Sequence, residues 1–143
     1  MDSDAGPGLP RESYAAIAAF RLELRRFLAF SEAAAGKVGL PAQQHQALLA
    51  IAGHDGAPTV GFVAEQLLIA PQTAAELVSR MVEKGLLTKT AEAQDRRRMA
   101  LTLTPQAAAL LQRLTTAHLE ELTTLEPALA RALDRMRRRR AEV

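Results

Sequence analysis

The sequence has 143 residues, enough for one domain with its own hydrophobic core, and its formal net charge is +2. It contains no cysteine, which excludes disulfides, thiolate metal sites and cysteine redox chemistry. Aromatic residues make up only 3% of the chain, and much of the apolar content is alanine and leucine, which favour helices. No apolar run approaches the roughly 18 residues that a membrane helix needs, so we expect a cytoplasmic protein.

Glycine, proline and aspartate dominate residues 1–10, which predicts a flexible N-terminal tail without the apolar core of a signal peptide. Apolar residues then recur at helical spacing over residues 11–35. Pro41 suits the first position of a second helix, which runs to about Ile51, because a proline there loses no intrahelical hydrogen bond. The stretch "GHDGAP" predicts a loop.

Two helices separated by a tight connection come next. The first is short, Val60–Leu67, and the second begins at Pro71 and runs to Lys84, where Gly85 can adopt the left-handed conformation that closes a helix. Leu86–Thr90 is rich in leucine and threonine and can form a strand, and the alternation of apolar residues over Met99–Leu103 predicts a half-buried strand. The polar "AEAQDRRR" joins them into a hairpin.

A long helix follows the hairpin. Thr104 caps it and Pro105 is its first residue. Its apolar stripe is formed by Leu111, Leu114, His118, Leu122 and Leu125. The leucines of this stripe, with the apolar faces of the first and last helices, predict a dimer interface, because one small lobe is not expected to bury so much apolar surface. Pro127 is expected to begin a separate last helix. The predicted fold is therefore mainly α with a small β-wing (α+β).

A short helix, a tight turn and a second helix form a helix-turn-helix motif, whose second helix can enter the DNA major groove. A hairpin directly after it is a wing, from which arginines can reach the negatively charged minor groove. The candidate residues on the recognition helix are Gln72, Thr73, Glu76 and Arg80, and those on the wing are Lys89, Asp95, Arg96, Arg97 and Arg98. Glu76 either contacts a base or pairs with Arg80, four residues further on.

The stretch "ELVSRMVEKGLLTKTAEAQDRRRMALTLTP" resembles the recognition helix and wing of the MarR family of winged-helix transcription regulators. The stretches "GLPAQQHQALLAI" and "TVGFVAEQLLI" are similar to that family's second and third helices. The resemblance covers about Arg11 to Arg138. It departs from the family at Glu76, where an arginine is common, and at Ala70, where a capping serine is common.

The resemblance implies a winged helix-turn-helix fold with long N- and C-terminal dimerisation helices. Residues 11–143 would be one domain, with a DNA-binding lobe at about 56–104 and dimerisation helices at 11–35 and 105–140. By the same resemblance, Asp95 orients Arg97 into the minor groove, and a small-molecule effector binds between the two regions. The implied partners are double-stranded DNA and a second copy of the chain, without a cofactor and without a membrane. The implied function is a repressor that its effector releases.

Other interpretations stay open. "DRRR" can be a solvated turn. Residues 137–140 favour a solvated helix end that complements the helix dipole, with a second phosphate contact as the alternative. His45, His54 and His118 lack the close spacing of a metal site, and the long stripe favours a buried, hydrogen-bonded His118.

The principal alternative in function is a winged-helix module that binds only protein. An enzyme is disfavoured because the chain has no G-x-S-x-G elbow, phosphate-binding glycine loop or H-E-x-x-H motif. Binding of RNA or single strands is disfavoured by the scarcity of aromatic side chains for base stacking.

Overall fold

The computed structural model describes residues 8–91 and 98–141. The described residues contain five helices and one antiparallel hairpin. In chain order the elements are α1 (Arg11–Lys37), α2 (Ala42–Gly53), α3 (Val60–Leu67), α4 (Pro71–Glu83), β1 (Leu87–Ala91), β2 (Met99–Leu103) and α5 (Pro105–Ala141). The predicted mainly helical fold with a small β-wing is confirmed. None of these helices is long and apolar enough to cross a lipid bilayer.

The chain divides into two compact units, and both long helices contribute to each of them. The terminal-helix unit comprises the chain up to Ser31 and from His118 onward, and the winged-helix unit comprises residues 32–117. The hydrophobic core of the winged-helix unit contains most of the large buried side chains, including Leu48, Val63, Val78, Met81 and Leu87. This core positions the recognition helix and the hairpin.

Local signals set the ends of α3 and α4. The Thr59 hydroxyl accepts a hydrogen bond from the Phe62 backbone N–H at 3.2 Å and caps α3, and Pro71 is in the first turn of α4. Gly85 has φ +74°, and the N–H of Leu86 donates to the Met81 carbonyl at 2.9 Å. Pro71 and Gly85 start and close α4 as predicted, but Pro41 is the residue before α2 rather than its first residue.

The turn between α3 and α4 contains the one non-glycine residue with positive φ among those described. Leu68 has φ 56° and ψ 43°, and its side chain is 93% exposed. The N–H of Ile69 donates to the Ala64 carbonyl at 3.1 Å, so the turn closes α3 in the way that a glycine usually does. An L side chain in this conformation costs about 1–2 kcal/mol.

The prediction that Pro127 begins a separate helix is wrong, because α5 continues through it. A proline inside a helix leaves the carbonyl four residues earlier without its donor. Here both Pro127 and Thr123 are exposed, so water can hydrate that carbonyl. The partly buried or buried side chains at Leu125, Leu129 and Ala132 stay on one face only if the helix continues.

The predicted apolar stripe of α5 is divided between the two units. Leu111 and Leu114 are 6% and 5% exposed and belong to the core of the winged-helix unit. The expectation that they offer apolar surface to a second copy of the chain is therefore wrong. Leu122 is 36% exposed and Leu125 is partly buried, and both are in the terminal-helix unit.

His118 is buried and hydrogen-bonded, as its place on the stripe predicts. It is 6% exposed, and its Nε2 lies 2.7 Å from the Ser31 hydroxyl. The rings of Phe27 and Phe30 contact it edge-on at centroid distances of 5.9 and 5.4 Å. This cluster joins α1 to α5 within the terminal-helix unit.

Candidate nucleic-acid interface

Helix α4 has an apolar face in the core and a polar face in solvent. Ala74, Leu77, Val78 and Met81 recur at intervals of three or four residues, and all four are buried. This burial fixes the helix by one side, so the opposite side is available to a partner. The four predicted recognition residues, Gln72, Thr73, Glu76 and Arg80, are all exposed.

The polar face has an internal hydrogen bond that differs from the predicted alternatives. Gln72 Nε2 donates to Glu76 Oε1 at 3.5 Å, whereas Arg80 is in neither of the two ion pairs found among the described residues. Glu76 therefore pairs with the residue one turn before it on the helix, and the Arg80 guanidinium remains available to an anion.

One residue on this face was missed by the sequence analysis. Ser79 is exposed and lies seven residues, about two helical turns, after Gln72. It therefore shares the face of Gln72 and Glu76. The signal was present in the sequence as a polar residue at helical spacing.

The hairpin is anchored to the rest of the winged-helix unit at its base. Leu87 is opposite Leu103, Lys89 is opposite Leu101, and Ala91 is opposite Met99. Leu101 is 2% exposed, and its N–H donates to the Pro58 carbonyl at 2.8 Å, so β2 is held on both edges. The predicted half-buried strand holds only near its base, since Met99, towards the tip, is 38% exposed.

Two predicted wing residues lie in the described part of the chain. Lys89 is exposed on β1, and Arg98 is exposed just before β2. Asp95, Arg96 and Arg97 lie outside the described residues. Arg98 also lines a pocket of about 370 Å³, together with Glu65 of α3 and the loop residues His54 and Thr59.

A hydrogen-bonded junction fixes the recognition helix relative to the hairpin and α5. The Thr104 hydroxyl donates to the Gly85 carbonyl at 2.7 Å, and the Thr104 N–H donates to the Leu86 carbonyl at 3.1 Å. The same hydroxyl accepts from the Ala107 N–H at 3.2 Å, which caps α5. Lys84 Nζ donates to Gln44 Oε1 at 3.2 Å and ties the end of α4 to α2.

The three histidines do not form a common site. His45 is buried in α2, His54 lies against the Phe62 ring at a centroid distance of 4.1 Å, and His118 is in the other unit. Across residues 8–91 and 98–141, no three histidine, aspartate or glutamate side chains are grouped closely enough to hold a metal ion.

Helices α3 and α4, their tight turn and the following hairpin define a winged helix-turn-helix protein. The sequence profile of the MarR family matches residues 38–98, which contain α3, α4 and the first strand of the hairpin. This match confirms the resemblance to the MarR family that the sequence indicated.

Solved structures of MarR-type regulators share the fold. MepR, a transcription regulator of the Staphylococcus aureus multidrug efflux pump MepA, is 21% identical with a TM-score of 0.66, and the match covers 76% of this chain and 79% of MepR. A mutant of MepR bound to an oligodeoxyribonucleotide is 22% identical over 76% of this chain and 79% of that one, with a TM-score of 0.63.

The transcriptional repressor CouR, bound to a 23-mer DNA duplex, is 23% identical with a TM-score of 0.64, over 81% of this chain and 87% of CouR. No curated protein sequence matches the chain. At these identities the structural likeness establishes the fold.

Proposed function

We propose that this protein is a dimeric, sequence-specific regulator of transcription that binds double-stranded DNA and acts as a repressor. The observation that carries the proposal is the exposed polar face of α4, fixed by its buried apolar face and followed by an anchored hairpin. The DNA-bound structures of MepR and CouR, which share this fold, support it.

The two parts of the interface have different tasks. Gln72 and Thr73, in the first turn of α4, would be the main readers of base edges, because that turn of a recognition helix commonly meets the major groove. Lys89 and Arg98 flank the wing tip and would neutralise phosphates, which supplies affinity without sequence preference. The wing arginine Arg97, oriented by Asp95, would enter the minor groove.

A dimer would be formed by the terminal-helix unit. On α1, Tyr14, Ile17, Leu24 and Leu28 follow one face at intervals of three, seven and four residues, and each is at least 41% exposed. A stripe of this length that stays exposed is typical of an interaction surface. Two recognition helices related by a dimer axis would read half-sites about one DNA turn, roughly 34 Å, apart.

The proposal includes a small-molecule effector that releases the protein from DNA. An effector changes DNA affinity only if it binds the DNA-competent and incompetent conformations with different affinities. It would act by favouring a dimer in which the two α4 helices no longer match the spacing of the half-sites.

The test begins with recovery of genomic DNA fragments on the purified protein, followed by titration of the recovered motif and a scrambled duplex. We expect the motif to bind at least tenfold more tightly than the scrambled duplex. Arg80→Ala and Arg98→Ala should each weaken binding, whereas Arg113→Ala, an exposed arginine on α5 away from the hairpin, should not. Equal affinity for motif and scrambled duplex would refute sequence-specific binding. Absence of binding to any duplex would favour the protein-binding module.

A further inference from the structure

The two compact units have the same net charge, but the cations of the terminal-helix unit are unevenly placed. That unit, residues 1–31 and 118–143, contains ten arginines and nine carboxylate side chains, a net charge of +1. Residues 32–117 contain eight cationic and seven carboxylate side chains, also a net charge of +1. The DNA contacts proposed for α4 and the wing use none of the ten arginines of the terminal-helix unit.

Six of these ten arginines lie at the end of α5, within residues 131–141, together with one aspartate. Four of those arginines line a groove of about 520 Å³, and the complete lining is Glu12, Arg131, Asp134, Arg135, Arg138 and Arg139. Asp134 is paired with Arg138 on the open surface. No residue of this lining is apolar, and its cations outnumber its carboxylates two to one.

The helix dipole explains only part of this cluster. Arginines complement the partial negative charge at a helix C-terminus, but the effect falls off within the last turn. Arg131 and Arg135 lie about two to three turns and one to two turns before Ala141, beyond its reach. Arg131, Arg135 and Arg139 are also spaced by four residues, and like charges at this spacing destabilise a helix. An arrangement that costs stability and is not a cap calls for an external partner.

We infer that the groove formed by Arg131, Arg135 and Arg138 is a second DNA-binding surface, which binds the phosphate backbone of a duplex without reading its sequence. Guanidinium groups bind phosphate oxygens in pairs, and every cationic side chain of the terminal-helix unit is an arginine. The three side chains follow about 10 Å of one helix face, which suits a row of backbone phosphates. A bilayer is less suited, because interfacial helices bury apolar side chains among the lipids and this groove has none.

The inference goes beyond the proposed function, because it gives the terminal-helix unit its own contact with DNA. Each backbone phosphate that is neutralised makes the dependence of log Kobs on log salt steeper by about 0.9. The surface therefore raises non-specific affinity at low salt and contributes little to the choice of sequence. Binding at both units would also allow one protein to contact two segments of DNA.

The experiment measures binding of a 30-base-pair duplex of random sequence from 50 to 200 mM salt by full-length protein. The groove variant carries Arg131→Gln, Arg135→Gln and Arg138→Gln. The matched control, which removes the same charge from exposed positions outside the groove, carries Arg25→Gln, Lys37→Gln and Arg113→Gln. A third variant, called the lobe variant, carries Arg80→Ala, Lys89→Ala and Arg98→Ala in the winged-helix unit. Thermal melting confirms that each variant is folded, and an unfolded triple variant is replaced by the single change Arg131→Gln.

We expect the groove variant to flatten the salt dependence by up to roughly 2.7 units, about 0.9 for each phosphate that is no longer neutralised, and the control to leave it within 1 unit of the wild type. The lobe variant should keep some non-specific binding. A variant that combines the lobe and groove changes should lose this binding. Equal salt slopes for the groove and control variants would overturn the inference while leaving the proposed function intact. If the groove variant lost all binding and the lobe variant bound as the wild type does, the inference would be supported and the proposed function would be contradicted.

Vesicles of phosphatidylserine form the last arm of the experiment. If the wild type binds them and the groove variant fails to bind vesicles but still binds the duplex as the wild type does, the surface recognises an anionic membrane and the DNA assignment is wrong.

Discussion

The Thr104 hydroxyl lies 2.7 Å from the Gly85 carbonyl, so the residue that caps the start of α5 is bonded to the glycine that follows the end of α4. The hairpin starts and ends beside this bond, because β1 begins two residues after Gly85 and β2 ends one residue before Thr104. The recognition helix, the wing and the long helix therefore meet at one side chain. Thr104→Ala should lower the free energy of unfolding by about 1 kcal/mol, the usual cost of removing a helix cap. It should also weaken specific DNA binding, because the wing and α4 would no longer share an anchor.

Denaturant unfolding measures the first effect, and Thr116→Ala is its control. The Thr116 hydroxyl only donates to the Gln112 carbonyl within α5, at 2.9 Å, so its removal should leave stability nearly unchanged. A Thr104 variant as stable as the Thr116 variant would mean that the junction is not a stabilising element.

Leu68 is expected to reduce the stability of the fold because of its backbone conformation. At φ 56° a glycine has no steric penalty, so Leu68→Gly should raise the free energy of unfolding by about 1 kcal/mol. Leu68→Ala keeps the β-carbon and should give little or no gain. Thermal melting of both variants decides the cause. Equal stabilisation by alanine and glycine would point to the exposed side chain rather than the backbone.

Gln72 and Thr73 should determine sequence preference more than overall affinity. Both are exposed in the first turn of α4, and Gln72 must exchange its 3.5 Å bond to Glu76 for a base contact. Selection from a randomised duplex library should return an altered motif for Gln72→Ala and Thr73→Ala, with affinity for the original base weaker by about 1–3 kcal/mol. Gln66→Ala, an exposed glutamine on α3, should return the wild-type motif. Identical motifs for all four proteins would remove these residues from the reading surface.

Arg97, oriented by Asp95, should be the main wing contact, with Arg96 and Arg98 as phosphate contacts. Arg97→Ala should weaken binding to all sequences and flatten the salt dependence by about 1 unit per wing. Asp95→Ala distinguishes a simple charge effect from an orienting hydrogen bond, because the two predict opposite changes in DNA affinity. Removal of a negative charge near DNA should tighten binding, whereas removal of an orienting hydrogen bond should weaken it by about 1 kcal/mol. Titration of one operator at two salt concentrations gives the sign, and tighter binding by Asp95→Ala with unchanged binding by Arg97→Ala would make "DRRR" a solvated turn.

The apolar stripe of α1 should hold the dimer together. Ile17→Asp combined with Leu28→Asp places unpaired carboxylates in that interface, which strongly disfavours association. Light scattering at micromolar concentration should show the wild type as a dimer and this variant as a monomer. Leu49→Asp, an exposed leucine of the winged-helix unit, is the control and should remain a dimer. A monomeric wild type would contradict the dimer itself.

The sequence by itself determined the elements of the winged-helix unit. The bounds of α3, the proline at the start of α4, the left-handed Gly85 and the Thr104 cap are all local, because each depends on the dihedral preference or hydrogen bonding of a few adjacent residues. The exposed positions of α4 could be assigned for the same reason, since its apolar period fixes which side is buried.

Only the tertiary structure decided what the long helices do. Periodicity predicts the apolar face of a helix but not the surface that covers it. The pattern therefore predicts a dimer interface at Leu111 and Leu114, although the core of their own chain buries them. The local cost of a proline inside a helix predicts a helix start at Pro127, whereas the helix continues and keeps Leu125, Leu129 and Ala132 on one buried or partly buried face, which only the tertiary structure shows. The groove near the end of α5 is likewise a tertiary feature, because it is lined both by Glu12 of α1 and by Arg131, Arg135, Arg138 and Arg139 of α5. A run of charges in the sequence does not show which distant residues lie beside it.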